Sequence, residues 1–128
     1  MSASRMIFRS LTFVIMLVAQ VLVSHALPFQ SGDVLYCQSI EHVGWSFEDK
    51  ELTKYILDPF KIFIESEKDI LMKGGSLDGI KMQVEFFLPN KIIAKSTFDT
   101  LVLNERELVY AMALMGKGSL ITAECDVF

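Results

Sequence analysis

Two cysteines, Cys37 in VLYCQSI and Cys125 in LITAECDVF, stand 88 positions apart, and the sequence has no third. If they are joined, the beginning of the fold must lie beside its end. Whether they are joined depends on the compartment, and the N-terminus speaks to that. MSASRMIFRSLTFVIMLVAQVLVSHALPFQ places Arg5 and Arg9 before an apolar run from Leu11 to Val23, with Ser24 and Ala26 just ahead of Pro28. A basic start, a short apolar stretch and small residues at the cleavage position make a secretory signal peptide over residues 1–26. The alternative, an uncleaved membrane anchor, needs about 20 apolar residues, and this run is shorter. The expected product is a secreted, extracellular chain from Leu27 to Phe128, with no stable membrane insertion after cleavage. In an oxidising compartment the cysteines read as one intramolecular disulfide, Cys37–Cys125; two buried thiols or an intermolecular bridge are the alternatives.

The leader removes two of the 12 basic residues and none of the 16 acidic ones, so 10 face 16 and the mature charge is −6. An acidic surface repels phosphate backbones, which argues against nucleic acid as a partner. A chain of this length suits a single domain, residues 27–128, with a modest core that a covalent staple would support.

Four segments carry strand signals. Val34 to Val43 is rich in strand formers and ends at Gly44. Gly79 to Leu88 alternates, with Ile80, Met82, Val84, Phe86 and Leu88 on one face. Ile92 to Phe98 returns after Pro89-Asn90 as a hairpin partner, and Ser119 to Phe128 alternates with Ile121, Ala123, Cys125 and Val127 in phase. Two segments carry helical spacing. Between Ser46 and Gly74, Leu52, Tyr55, Ile56, Phe60, Phe63 and Ile64 recur at three and four residues, with Pro59 either kinking one helix or separating two. Asn104 and Glu107 resemble a cap and its partner ahead of Leu108, Ala111, Met112 and Met115. The order strand, helix, strand, strand, helix, strand predicts an α+β, ferredoxin-like βαββαβ sandwich: a four-stranded antiparallel sheet with two helices on one face. In that topology the first and last strands are antiparallel neighbours, and a register in which paired positions sum to 162 sets Cys37 opposite Cys125.

Catalytic chemistry has little to work with. His25 leaves with the leader, His42 stands alone, and both cysteines are committed, so neither a nucleophile–histidine site nor a zinc site is expected. Glu48, Asp49 and Glu51, and further on Glu65, Glu67 and Asp69, read as capping and solvated charge. Gly74-Gly75 and Gly116 lack a phosphate-loop context. No catalytic residue, metal or cofactor is expected.

A leader, a mature domain of this length and one cysteine near each end, with DPFKIFIE followed by GIKMQVEFF, resemble the small secreted clade V protein family of nematodes. That resemblance implies secretion and no enzymatic role. The strand order also resembles the extracellular SEA module, although the hairpin LPNK lacks that module's G-S-V-V-V cleavage sequence. The leading expectation is therefore a secreted, non-enzymatic binding protein whose partner is an extracellular protein or small ligand. A lipid or small-molecule carrier and a carboxylate-dependent hydrolase are the alternatives. On the sandwich, Tyr36, Ile40, His42, Phe87 and Ile93 fall on the sheet face away from the helices and form the expected partner-binding face, with a homodimer as one use.

Overall fold

A computed structural model describes residues 28–48 and 50–127. The signal peptide expected over residues 1–26 lies outside them. Nine strands follow in order: β1 Val34–Ser46, β2 Leu52–Lys54, β3 Pro59–Ile64, β4 Asp69–Lys73, β5 Lys81–Leu88, β6 Lys91–Lys95, β7 Asp99–Asn104, β8 Glu107–Leu114 and β9 Lys117–Val127. Every neighbouring pair is antiparallel, and β9 returns to pair with β1. Eight strands thus close an up-and-down barrel, and β2 is an extra rung on the far half of β1. Among the described residues the one helical element is a 3-10 turn, Gly75–Leu77.

This overturns the ferredoxin-like expectation, since both predicted helices are strands. PFKIFI sends Phe60, Ile62 and Ile64 inward and Lys61 outward, and DILMK continues with Ile70 and Met72 inward. The positions read as helical, Leu52 to Ile64, fall on β2, the link after it and β3, and β3 then joins β4 through Ser66. Ser66 Oγ accepts hydrogen bonds from the backbone N–H groups of Lys68 and Asp69, which fixes the turn between them. Pro59 opens β3, a position where a strand tolerates a missing N–H. ELVYAMAL likewise alternates, with Leu108 and Tyr110 buried and Val109 and Ala111 exposed. The β8–β9 link is a two-residue turn with positive φ at both Met115 (47°) and Gly116 (79°), the hairpin geometry that matches strand twist.

An eight-stranded barrel is just wide enough for side chains to fill, and here they do. Leu35, Ile62, Ile64, Ile70, Met72, Met82, Ile92, Leu101, Leu103 and Leu108 are essentially inaccessible to solvent. Cys37 and Cys125 pair directly across β1 and β9 and form the disulfide inside the barrel. Among the described residues the one buried polar side chain, Ser39, donates to the Asp58 carbonyl at 2.8 Å. Phe29 covers the lower end: its N–H donates to the Pro89 carbonyl, and it is 7% exposed.

Two bulges shift the inside–outside phase. One lies on β1 between Ser39 and Glu41, so that beyond it His42 opposes buried Ile121. The other lies on β5 between Val84 and Phe86, so that Phe87 opposes buried Ile92 and Phe86 turns outward.

At the upper rim, Trp45 pairs with Gly118, and a Cβ on that glycine would meet the indole at 2.5 Å. Gly118→Ala is expected to push the ring off the sheet. Trp45 is the only tryptophan, so a red shift of the intrinsic fluorescence, with the fold retained by circular dichroism, reads this directly. An unchanged spectrum would show that the ring does not rest there in solution.

Candidate functional site

The barrel is stoppered below and open above. At the upper end, residues from β1, the β2–β3 link, the β4–β5 loop, β8 and β9 surround a depression of about 470 Å³. Its floor is apolar, from Ile121, Met112, Leu77 and Ile80. The β4–β5 loop folds over the end and tucks Leu77 in at 3% exposure. Polar groups converge on the walls. The Tyr110 hydroxyl donates to the Asp99 carboxylate, and Ser119 stands across from Gly44 and Met112 on the neighbouring strands. His42 packs against the Tyr55 ring, centroid to centroid 4.6 Å, and the Tyr55 N–H donates to the His42 carbonyl. Gly44 leaves room for that ring, which a Cβ would meet at 2.6 Å.

Burial lowers the His42 pKa from the usual 6.5, opposed by the nearby Asp58 carboxylate. At neutral pH the imidazole is therefore uncharged and can both donate and accept. Burial pushes the Tyr110 hydroxyl well above its ordinary value, and the hydrogen bond to Asp99 and that carboxylate's charge act in the same direction. Tyr110 is thus a fixed donor. Below pH 10.0 it is protonated in folded and unfolded chains alike. Above that pH the unfolded chain loses the proton while the folded one keeps it, so stability falls as pH rises. Tyr110→Phe is expected to flatten this alkaline loss in urea melts at pH 9–11; an unchanged slope would place the effect elsewhere. Among the described residues no three His, Cys, Asp or Glu side chains gather as a metal site would need.

The expected face does not assemble. Tyr36 and Ile40 lie on the outer surface of β1 at 42% and 53% exposure. Ile93 lies on β6, four strands round the barrel and so on its opposite side. His42 and Phe87 turn inward, each because of the bulge just before it: His42 reaches the mouth, and Phe87 packs on the core. Residues 96–98 form a turn rather than continuing the strand, and Asp99 just after it accepts the hydrogen bond of buried Tyr110. Tyr110, Ser119 and Leu77 were missed as site residues. The alternation Leu108, Tyr110, Met112 was the available signal for the first.

Comparison with protein-family models, with curated proteins and with solved structures finds no match. The site's own chemistry is what bears on its use.

Proposed function

We propose that this is a secreted binding protein that holds a small, largely apolar molecule at the open end of its barrel. The supporting observation is the asymmetry of the barrel. One end is covered by Phe29 and the middle is packed solid, while the other end keeps a recess of about 470 Å³ with an apolar floor and a few converging polar groups. Recesses of roughly 300–1,000 Å³ in barrel mouths are common ligand sites. Neutral His42, the Tyr110–Asp99 pair and Ser119 would orient a hydroxyl, carbonyl or amide on the ligand. The outer wall carries Lys61, Lys81, Glu85, Lys95 and Glu124 on its strands. A membrane-spanning barrel places an apolar band there, so a water-facing barrel released after leader cleavage fits better.

Native mass spectrometry of the protein purified from the medium tests both parts. The expected chain begins at Leu27 and carries a bound small molecule. Ser119→Phe fills the recess from β9 and is expected to abolish that adduct while leaving the melting temperature within a few degrees. A variant that still carries the ligand would move the site away from the mouth, and a mass that includes residues 1–26 would exclude the leader reading.

A further inference from the structure

A second concavity, of about 520 Å³, lies on the outer wall across β9, β1, β3 and β4. One rung of the sheet crosses it: Asp126 on β9 pairs with Tyr36 on β1, Tyr36 with Lys61 on β3, and Lys61 with Lys73 on β4. Lys61 and Lys73 are thus directly opposite on the same face, an arrangement that repels. Neither ammonium has a carboxylate partner among the described residues, where the ion pairs are Lys95–Glu85 and Arg106–Asp126. Asp126, the nearest acid on the rung, is held at 2.5 Å by Arg106. The two lysines lie instead over aromatic faces, Lys61 Nζ 5.0 Å from the Tyr36 ring centre and Lys73 Nζ 5.4 Å from that of Phe63. Pro59 and Gly74 lie beside them, Gln38 adds an amide, and Glu124, paired with Gln38 on β9, adds a carboxylate.

Two neighbouring cations outside any ion pair, beside aromatic rings and a proline surface, form a receptor for one kind of molecule, with the Glu124 and Asp126 carboxylates confined to the β9 side of the groove. We propose that this outer groove binds a small organic anion with a flat apolar body. Its carboxylate, sulfonate or phosphate bridges Lys61 and Lys73, and its ring lies along Tyr36, Pro59 and Phe63. Such an anion would remove the lysine–lysine repulsion on binding, which rewards an anionic head over a neutral one. The site is separate from the barrel mouth, because Tyr36 and Gln38 point out of the strand whose inward residues are Cys37 and Ser39.

Titration of the full mature protein with 2-naphthoate, followed by calorimetry and by backbone amide shifts, tests this. Saturable binding is expected, with shifts at Tyr36, Lys61 and Lys73. The uncharged 2-naphthamide is expected to bind at least about tenfold more weakly, as is naphthoate to the K61Q/K73Q variant, because charged hydrogen-bond partners are lost. The double variant removes a repulsion, so its melting temperature should hold or rise, which separates lost binding from lost folding. Inorganic phosphate, lacking the flat body, is expected to bind more weakly than naphthoate. Ser119→Phe, which blocks the mouth, should leave naphthoate binding unchanged, so failure of the mouth reading and failure of this one are distinguishable. Equal affinity of the parent and K61Q/K73Q, binding lost in Ser119→Phe, or no binding at all would overturn the proposal.

Discussion

Replacing Cys37 and Cys125 together with Ala is expected to lower the melting temperature by roughly 15–30 °C. The bond joins β1 to β9, the seam at which the chain closes the barrel, and the two residues are paired directly across it. Cutting it frees a loop of 88 residues in the unfolded chain, which the chain-entropy account values at about 4.6 kcal/mol. A domain of this size shifts by about 4–8 °C per kcal/mol. Both cysteines are buried, at 3% and 1% exposure, so losing their sulfurs also thins the core. A calorimetric scan of the double variant checks this. A shift under about 5 °C would mean that the β1–β9 hydrogen bonds hold the seam without covalent help.

That pairing was legible in the sequence even though the fold was not. The first and last strands are antiparallel neighbours both in a ferredoxin-like sheet and in a closed up-and-down barrel, so the register summing to 162 survives the change of architecture. It holds from Leu35–Val127 to Ser39–Ala123 and slips by one at the bulge, where Glu41 meets Thr122. The bulges were the invisible part. Nothing in SIEHV or VEFF marks an extra residue, yet each bulge reverses every side chain beyond it. That reversal carried His42 into the mouth and Phe87 onto the core, and it dispersed the expected outer face.

The two false helices have a different cause. Leu108 and Met112 fit either period, and the apolar residues of β2, its link to β3 and β3 itself happen to fall at three-and-four spacing from Leu52 to Ile64. The β-branched and aromatic content of FKIFI favoured a strand, and the Pro59 that seemed to complicate a helix is ordinary at a strand start. Tyr110 could have been placed inside by alternation alone. Its bond to Asp99 could not, because it depends on the length of the β6–β7 turn.

Phe29→Ala is expected to destabilise the barrel by about 3–5 kcal/mol, the usual range for emptying a buried aromatic site. Phe29 joins the core cluster from outside the strands, held over the lower end by its N–H bond to the Pro89 carbonyl, while the Gly32 N–H donates to the Ile64 carbonyl. The lower ends of the inward-facing rows, Ile64, Leu103 and Ile92, would then face water, as would Phe87. The mouth lies at the other end of a packed interior, so ligand affinity there should change little while the urea midpoint falls. This separates the part that keeps the barrel shut from the part proposed to receive a ligand. It also bears on the leader. If cleavage leaves Leu27 first, Phe29 is the third residue of the mature chain, and trimming three residues should reproduce the alanine variant's midpoint. A trimmed chain as stable as the parent would show that the lower end does not need its aromatic cover, and that the packed layer of Ile64, Ile92 and Leu103 closes the barrel unaided.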